Sequence, residues 1–473
     1  MTIFTDLAAQ VVRLFGLQQA ETAPVFATSR RTECLIPQRA NDDTTPHGFL
    51  VGESITTSKP YSFSLHELYR QDIIQDLDMA VFGDVGTAKT SLVKCLAMNM
   101  LDTGGRVAIF DRKIQTGRGV RGGEYLALAD DLGGTRVVFD RNPDLGCRIN
   151  LLDPAFGALT SELASSVGPD RLLLLAAQVA CGRSLEDTDK TFPRWALDVA
   201  HAAAITRAKA AGRIPELSDV IEALLDPDES ALPGPVDPQT GRHRLDERGW
   251  VSLKDVFDWG LPVAMGLERY LSGSLSGLID GQTRDAKNRP LDLSNNLIVF
   301  DTSALPEDSD EFGLMTLLAA SWLQAKWVLT PGDKMLVWEE AYSTDQLAEI
   351  GKLRRSFAKR GRGTNTAVVD VFHHPAEALE GDQSSAVAKE ASVIWVARQE
   401  HPADLDACIR LLGLPERAAG MLSVQPVGTW IVKVSGQPIE QVRHLRTQRQ
   451  IFLTDSDMAV RGDMDGVVTA SWI

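Results

Sequence analysis

The chain lacks the marks of an exported or membrane-spanning protein. Its five cysteines (Cys34, Cys95, Cys147, Cys181 and Cys408) never fall at CxxC spacing, which argues against a disulfide framework and against a cysteine zinc site. No apolar run approaches the roughly 20 residues that a membrane span needs. The N-terminus has no basic segment followed by a cleavage site. A soluble or peripheral protein of a reducing cytoplasm is expected. A basic tail is also missing: 48 Lys and Arg against 64 Asp and Glu give a net charge of -16, which disfavours nonspecific adhesion to nucleic acid. No internal repeat is present.

What is there is a long α/β pattern. With 473 residues and 44% hydrophobic content, the chain can bury a large core as one domain with insertions or as two to three smaller domains. Residues 1–47 read as an N-terminal helix, with Ile3, Phe4, Leu7, Val11, Leu14 and Phe15 on one stripe, and an extended lead-in broken by Pro24 and Pro37. Residues 48–78 read as a small β-rich section in which Phe49–Ser54 and Tyr61–Leu65 form a hairpin-type unit. Residues 79–158 read as the first part of an α/β core, and 276–473 as its second part. Strands are expected at Met79–Phe82, Arg106–Asp111, Thr135–Phe139, Leu297–Asp301, Lys334–Glu339, Thr366–Phe372 and Val393–Ala397. The alternation with helices predicts a parallel sheet. Between the two parts, 159–275 read as an all-α insertion, with a Pro-, Asp- and Gly-rich loop over 228–246.

The first strand runs into Gly83-Asp84-Val85-Gly86-Thr87-Ala88-Lys89-Thr90-Ser91. A Gly-rich turn between a buried strand and a helix points backbone N–H groups at an anion, and the helix N-terminus adds partial positive charge. These nine residues are the candidate ATP-binding set, with Lys89 on the β/γ-phosphates and Thr90 on Mg2+. Ala88 stands where the usual pattern has Gly.

Hydrolysis needs an acid near the magnesium and a group that orients water. Glu339 and Glu340, ending an apolar strand, supply both: Glu339 for the metal, in place of the usual Asp, and Glu340 for the water. At the next strand end, His373 of the His373-His374-Pro375 run is a candidate γ-phosphate sensor. No further His, Cys or acid lies at ligand spacing, so a metal site there is not expected. Between these strand ends, Arg354, Arg355, Lys359, Arg360 and Arg362 crowd into nine residues. The run reads as a solvated face, as a pore surface gripping nucleic acid, or as the source of an arginine acting on a neighbouring subunit. Arg360 and Arg362, with Arg355 and Arg398, are the trans-acting candidates.

Taken in order, these motifs resemble the motor ATPases of conjugative type IV secretion systems (TraC-like, in the HerA/FtsK superfamily of RecA-like P-loop ATPases). The resemblance spans about Gly48 to Asp457. It also rests on Ala108-Ile-Phe-Asp111-Arg-Lys113 with Gly123-Glu-Tyr125, Arg148-Ile-Asn150-Leu-Leu-Asp153, Gly277-Leu-Ile-Asp280-Gly281-Gln-Thr283 and Ile298-Val-Phe-Asp301. The resemblance implies a RecA-like core with a helical insertion and an ATP- and Mg2+-dependent homo-hexamer. It further implies docking to secretion-channel proteins at the cytoplasmic membrane face. The family's N-terminal docking domain is not matched, so docking is expected to fall to another polypeptide. Two alternatives stay open: a DNA-translocating or coupling ATPase of the same superfamily, and a nucleotide-binding scaffold whose hydrolysis has weakened.

Overall fold

Four apolar runs that end in an aromatic residue followed at once by an acid or glycine, at residues 79–82, 107–110, 297–300 and 335–338, become strands buried on both faces. Burial on both faces demands a continuous rather than alternating apolar sequence. The computed structural model describes residues 48–117, 120–142, 144–157, 168–188, 191–229, 232, 234, 236–245, 249–273, 275–306, 309–339, 357, 361–376 and 390–454. The expected N-terminal helix and lead-in, Glu340, Arg354, Arg355, Lys359, Arg360 and Asp457 lie outside the described residues.

In chain order the elements are β1 (Phe49–Ser54), β2 (Pro60–Phe63), α1 (Leu65–Arg70), β3 (Asp78–Phe82), α2 (Lys89–Asp102), β4 (Arg106–Asp111), β5 (Ile114–Gly117), β6 (Val120–Gly123), α3 (Leu126–Leu132) and β7 (Thr135–Val138). After a short 3-10 turn follow α4 (Pro169–Cys181), α5 (Pro193–Ala210), α6 (Leu217–Leu225), β8 (His243–Leu245), β9 (Gly249–Val251) and α7 (Leu253–Ser272). The chain continues with β10 (Leu297–Asp301), α8 (Asp310–Val328), β11 (Lys334–Trp338), β12 (Thr366–Phe372), β13 (Val393–Val396), α9 (Pro402–Arg410), α10 (Arg417–Val424), β14 (Thr429–Val434), β15 (Glu440–His444) and α11 (Gln448–Thr454). They group into two compact units. One takes the chain up to Leu96 together with Val369–Ile451, and the other takes Ala97–Val368 with the chain from Phe452.

In the first unit the strand order is β2-β1-β15-β14-β13-β3-β12. β13 runs parallel to β3 with Trp395 opposite Val81, whereas β14, β15, β1 and β2 continue antiparallel. The sequence reading ended the sheet at Val393–Ala397; Thr429–Val434 and Glu440–His444 extend it. Their reason is a buried aromatic cluster, in which Trp395 meets Phe63 at 5.2 Å and Trp430 at 6.0 Å, both edge to face. The hairpin expected over Phe49–Leu65 forms, but it closes at Phe63 because Ser64 caps α1, its hydroxyl accepting from the Glu67 N–H at 3.4 Å.

In the second unit β11-β4-β10-β7 are all parallel. Register places Phe110 between Phe300 and Trp338, and the three rings stack at 4.6 and 4.2 Å. The described residues between 168 and 273 hold α4 to α7, with α6 packed on both α5 and α7. In the stretch expected to be a loop, His243–Leu245 instead pairs with Gly249–Val251. The motifs around Asn150 and Thr283 prove to be partners. Thr283 Oγ1 accepts from the Asn150 N–H at 3.1 Å and donates to Asp153 at 2.9 Å, while the Asn150 amide donates to Pro215 O at 2.9 Å. Among the described residues no helix is long and apolar enough to cross a membrane.

Candidate functional site

The turn after β3 is shaped by sterics before any ligand is considered. A Cβ on Gly83 would lie 2.6 Å from Thr87 Oγ1 and 2.7 Å from Ala397 Cβ, so the position admits no side chain. Thr87 closes the turn by donating both N–H and O–H to Asp84 O, at 3.3 and 2.7 Å. Gly86 and Ala88 both adopt positive φ, 79° and 74°. For alanine that left-handed conformation costs roughly 1–2 kcal/mol. Ala88 O then accepts the first helical bond of α2, from Leu92 N–H at 3.1 Å. Left-handed residues at this spacing turn successive N–H groups to one side, the concavity that binds oxyanions.

Lys89, at the start of α2, is buried at 6% exposure. Its ammonium donates to Gly83 O, to Asp84 O at 3.0 Å and to His373 Nδ1 at 3.0 Å. Because an ammonium has no lone pair, the ring nitrogen is the acceptor and the imidazole proton sits on Nε2. The fold thus brings together the lysine and the histidine that the sequence analysis selected from segments 284 residues apart. Phe82 and Phe372, each one residue before its site residue, stack at 5.0 Å and fix the two strand ends side by side.

The loop also has a polar flank that the sequence did not reveal. Glu400 N–H donates to Asp84 Oδ2 at 3.3 Å. With its amide nitrogen facing Asp84, the fully buried Gln399 donates to Asp84 Oδ1 at 3.2 Å and accepts from Gly83 N–H at 3.3 Å. His374 Nδ1 lies 3.6 Å from Asp84 Oδ1 and 3.0 Å from Asp404 Oδ2, and Asp404 Oδ1 accepts from Ala376 N–H at 2.9 Å.

In the second unit, carboxylates at the ends of β4 and β10 clamp the backbone at the end of β6 and just beyond it. Asp111 Oδ2 accepts from Tyr125 N–H at 2.7 Å, and Asp301 Oδ2 from Gly123 N–H at 3.0 Å. A Cβ on Gly123 would sit 2.3 Å from Asp111 Oδ2. Complete burial pushes the Asp111 carboxyl well above the usual carboxylate range, and the charges of Asp301, Glu339 and Glu124 add to this, against the Tyr125 N–H bond that opposes it. The Tyr125 hydroxyl donates to Glu339 Oε1. Burial and the neighbouring Glu339 and Glu124 charges also raise the phenol, which keeps its proton for that bond. Glu124 pairs with Lys113 at 3.6 Å.

Of the arginine candidates, Arg362 is exposed, and Arg398 is paired with Glu400 at 3.0 Å. Tyr125, Asp111, Asp301 and Asp404 carry parts of these arrangements for which the sequence analysis assigned no role. For the two strand-end aspartates the available signal was an acid terminating a wholly apolar run. Asp404 had none, because its partners lie far from it in sequence.

No protein-family model matches the sequence, and no curated protein matches it. Among solved structures, VirB4 of Thermoanaerobacter pseudethanolicus matches with a TM-score of 0.63 at 17% identity, over 87% of this chain and 99% of that one. The unbound bacterial conjugative coupling protein TrwBdeltaN70 matches at 0.47 and 12%, over 85% and 89%. The plasmid coupling protein TrwB with a non-hydrolysable ATP analogue matches at 0.47 and 14%, over 90% and 94%. Scores this low add nothing to the first likeness, which establishes one point: the chain has the RecA-like α/β fold of VirB4.

Proposed function

We propose that the chain is an ATP-hydrolysing motor of a conjugative type IV secretion system, powering pilus or channel assembly or substrate transfer. The observation that carries this reading is the buried ammonium of Lys89 held in the turn between Gly83 O and His373 Nδ1. A buried lysine beneath a turn with two left-handed residues fits a triphosphate, since the turn admits no side chain at Gly83 and left-handed residues favour the backbone N–H concavity that binds oxyanions. Bound ATP with Mg2+ supplies the phosphoryl group and the charge that neutralises it. The loop residues Gly83 to Ser91 bind and orient it, Lys89 donates to phosphate oxygen, and Thr90 is the hydroxyl assigned to the metal. Glu339, held by the Tyr125 hydroxyl, is the acid assigned to the metal's water, and Glu340 is the acid assigned to the attacking water. His373 is the residue assigned to sense the γ-phosphate, with its Nε2–H as the donor and Nδ1 accepting from Lys89.

The motif order and the fold shared with VirB4 support the wider reading. In it the chain works as a homo-hexamer at the cytoplasmic face of a membrane, with secretion-channel proteins as partners and Arg362, Arg360, Arg355 or Arg398 acting in trans. The deciding experiment is steady-state ATPase activity of the full chain beside Glu340→Gln. Turnover should fall about 100-fold or more while ATP is still bound. Equal turnover in the two proteins refutes the assignment, and stimulation of the wild type by DNA severalfold would transfer the reading to a DNA pump.

A further inference from the structure

We infer that Asp84, His374 and Asp404 form a binding site for a divalent cation of the zinc class, beside the turn after β3 and built from none of the residues assigned to magnesium. Among the described residues these three side chains each offer one ligand atom, all within 4.8 Å of one another. The distances suit one small ion. Tetrahedral bonds of about 2.0–2.1 Å place neighbouring ligand atoms about 3.3 Å apart. His374 Nδ1 lies 3.6 Å from Asp84 Oδ1 and 3.0 Å from Asp404 Oδ2, so the two separations bracket that value.

The carboxylates are also oriented as metal ligands are. In each, one oxygen is tied to a backbone amide, Asp84 Oδ2 to Glu400 N–H and Asp404 Oδ1 to Ala376 N–H, and the other is turned towards His374, with Asp84 Oδ1 also accepting from the Gln399 amide on its second lone pair. Such outer partners fix the ligand oxygen and are a regular feature of built metal sites. Asp404 is 3% exposed, and the His374 ring is braced edge to face by His401 at 5.9 Å. The imidazole would give its Nδ1 lone pair to the ion and carry its proton on Nε2. Two carboxylates and one imidazole leave a fourth position to water, and a nitrogen in the set favours zinc or cobalt over magnesium or calcium. The neighbouring His373 is committed to Lys89, which leaves His374 as the nitrogen ligand.

The test uses the full chain, stripped with chelator and free of nucleotide, so its outcome does not depend on whether the chain hydrolyses ATP. Zn2+ is titrated in competition with a chromophoric chelator, and Co2+ is followed by its visible absorption. One equivalent per chain is expected, with the spectrum of nitrogen and oxygen ligation. Affinity should drop at least tenfold in His374→Ala and in Asp404→Asn but hold in His373→Gln, and Zn2+ should raise the melting temperature of the wild type and of His373→Gln but not of the other two variants. Should a variant fail to fold, Asp84→Asn replaces it, and the wild-type cobalt spectrum stands by itself. The proposal is overturned by absence of stoichiometric binding, by binding that survives the His374 and Asp404 changes, or by a thiolate charge-transfer band that places the ion on a cysteine.

Discussion

Lys89 Nζ and His373 Nδ1 meet at 3.0 Å, so the histidine holds the lysine that the proposed nucleotide would recruit. A phosphate that draws the ammonium away leaves Nδ1 with an unsatisfied lone pair, and this ties the histidine to the occupancy of the loop. His373→Ala should lower ATP turnover about tenfold, the worth of one charge-assisted hydrogen bond. Nucleotide affinity should change less than twofold, whereas Lys89→Ala should abolish binding. Fluorescent-nucleotide titration beside a phosphate-release assay separates the two. A His373→Ala protein with unaltered turnover removes this residue from the site.

Ala88 carries the strain of a left-handed backbone at φ 74°. Ala88→Gly should raise stability by about 1 kcal/mol, the relief of strain being partly offset by the greater freedom of glycine in the unfolded chain. Denaturant titration reads the shift, and a lower midpoint for the glycine variant would contradict the geometry.

The hydroxyl of Tyr125 donates to Glu339, the acid assigned to the metal's water, which makes Tyr125 a positioning residue in the proposed site. Tyr125→Phe should cut kcat about tenfold with KM for ATP unchanged. A variant whose KM rises while kcat holds would show that Tyr125 serves binding instead.

Gly123 has Asp111 Oδ2 at 2.3 Å and Asp301 Oδ1 at 3.1 Å from the place a Cβ would occupy. Neither carboxylate can withdraw without losing the backbone N–H it accepts. Gly123→Ala should therefore cost about 2–3 kcal/mol, measured by chemical denaturation. A cost below about 0.5 kcal/mol would mean that the clamp is looser than the distances say.

Burial, with Arg446 adding to it, pushes the His444 imidazole down to about 4. The unfolded chain, with a histidine near 6.5, therefore takes up a proton before the folded one does. Stability from this group is complete above about pH 6.5 and is lost as pH falls towards 4, at up to about 1.4 kcal/mol per pH unit. His444→Gln should flatten that part of the stability profile, and identical acid slopes for the two proteins would rule the linkage out.

The parallel strands were legible because each is a single apolar run with a marked end: Val81-Phe82 before Gly83, Val337-Trp338 before Glu339, Val371-Phe372 before His373. The antiparallel strands β14 and β15 were not. Thr429–Val434 and Glu440–His444 are as long as the parallel strands but carry Lys433, Gln441 and Arg443 within them, and what orders Trp430 is Trp395 of another segment. The same holds at the site. Gly83, Lys89 and His373 announce themselves through local pattern, while Asp404 and Tyr125 gain their meaning from partners 30 and 214 residues away. No window of sequence contains both members of either pair.

Asp84 has its backbone in the turn after β3, where its carbonyl accepts from Lys89, and its carboxylate in the cluster with His374 and Asp404. Whatever grips the one end constrains the other. If an ion at the cluster changes the affinity of the turn for a nucleotide, thermodynamic reciprocity requires the nucleotide to change the affinity for the ion by the same factor. The history of a preparation, whether it met chelator or nickel resin before assay, would be written into every nucleotide dissociation constant measured on it.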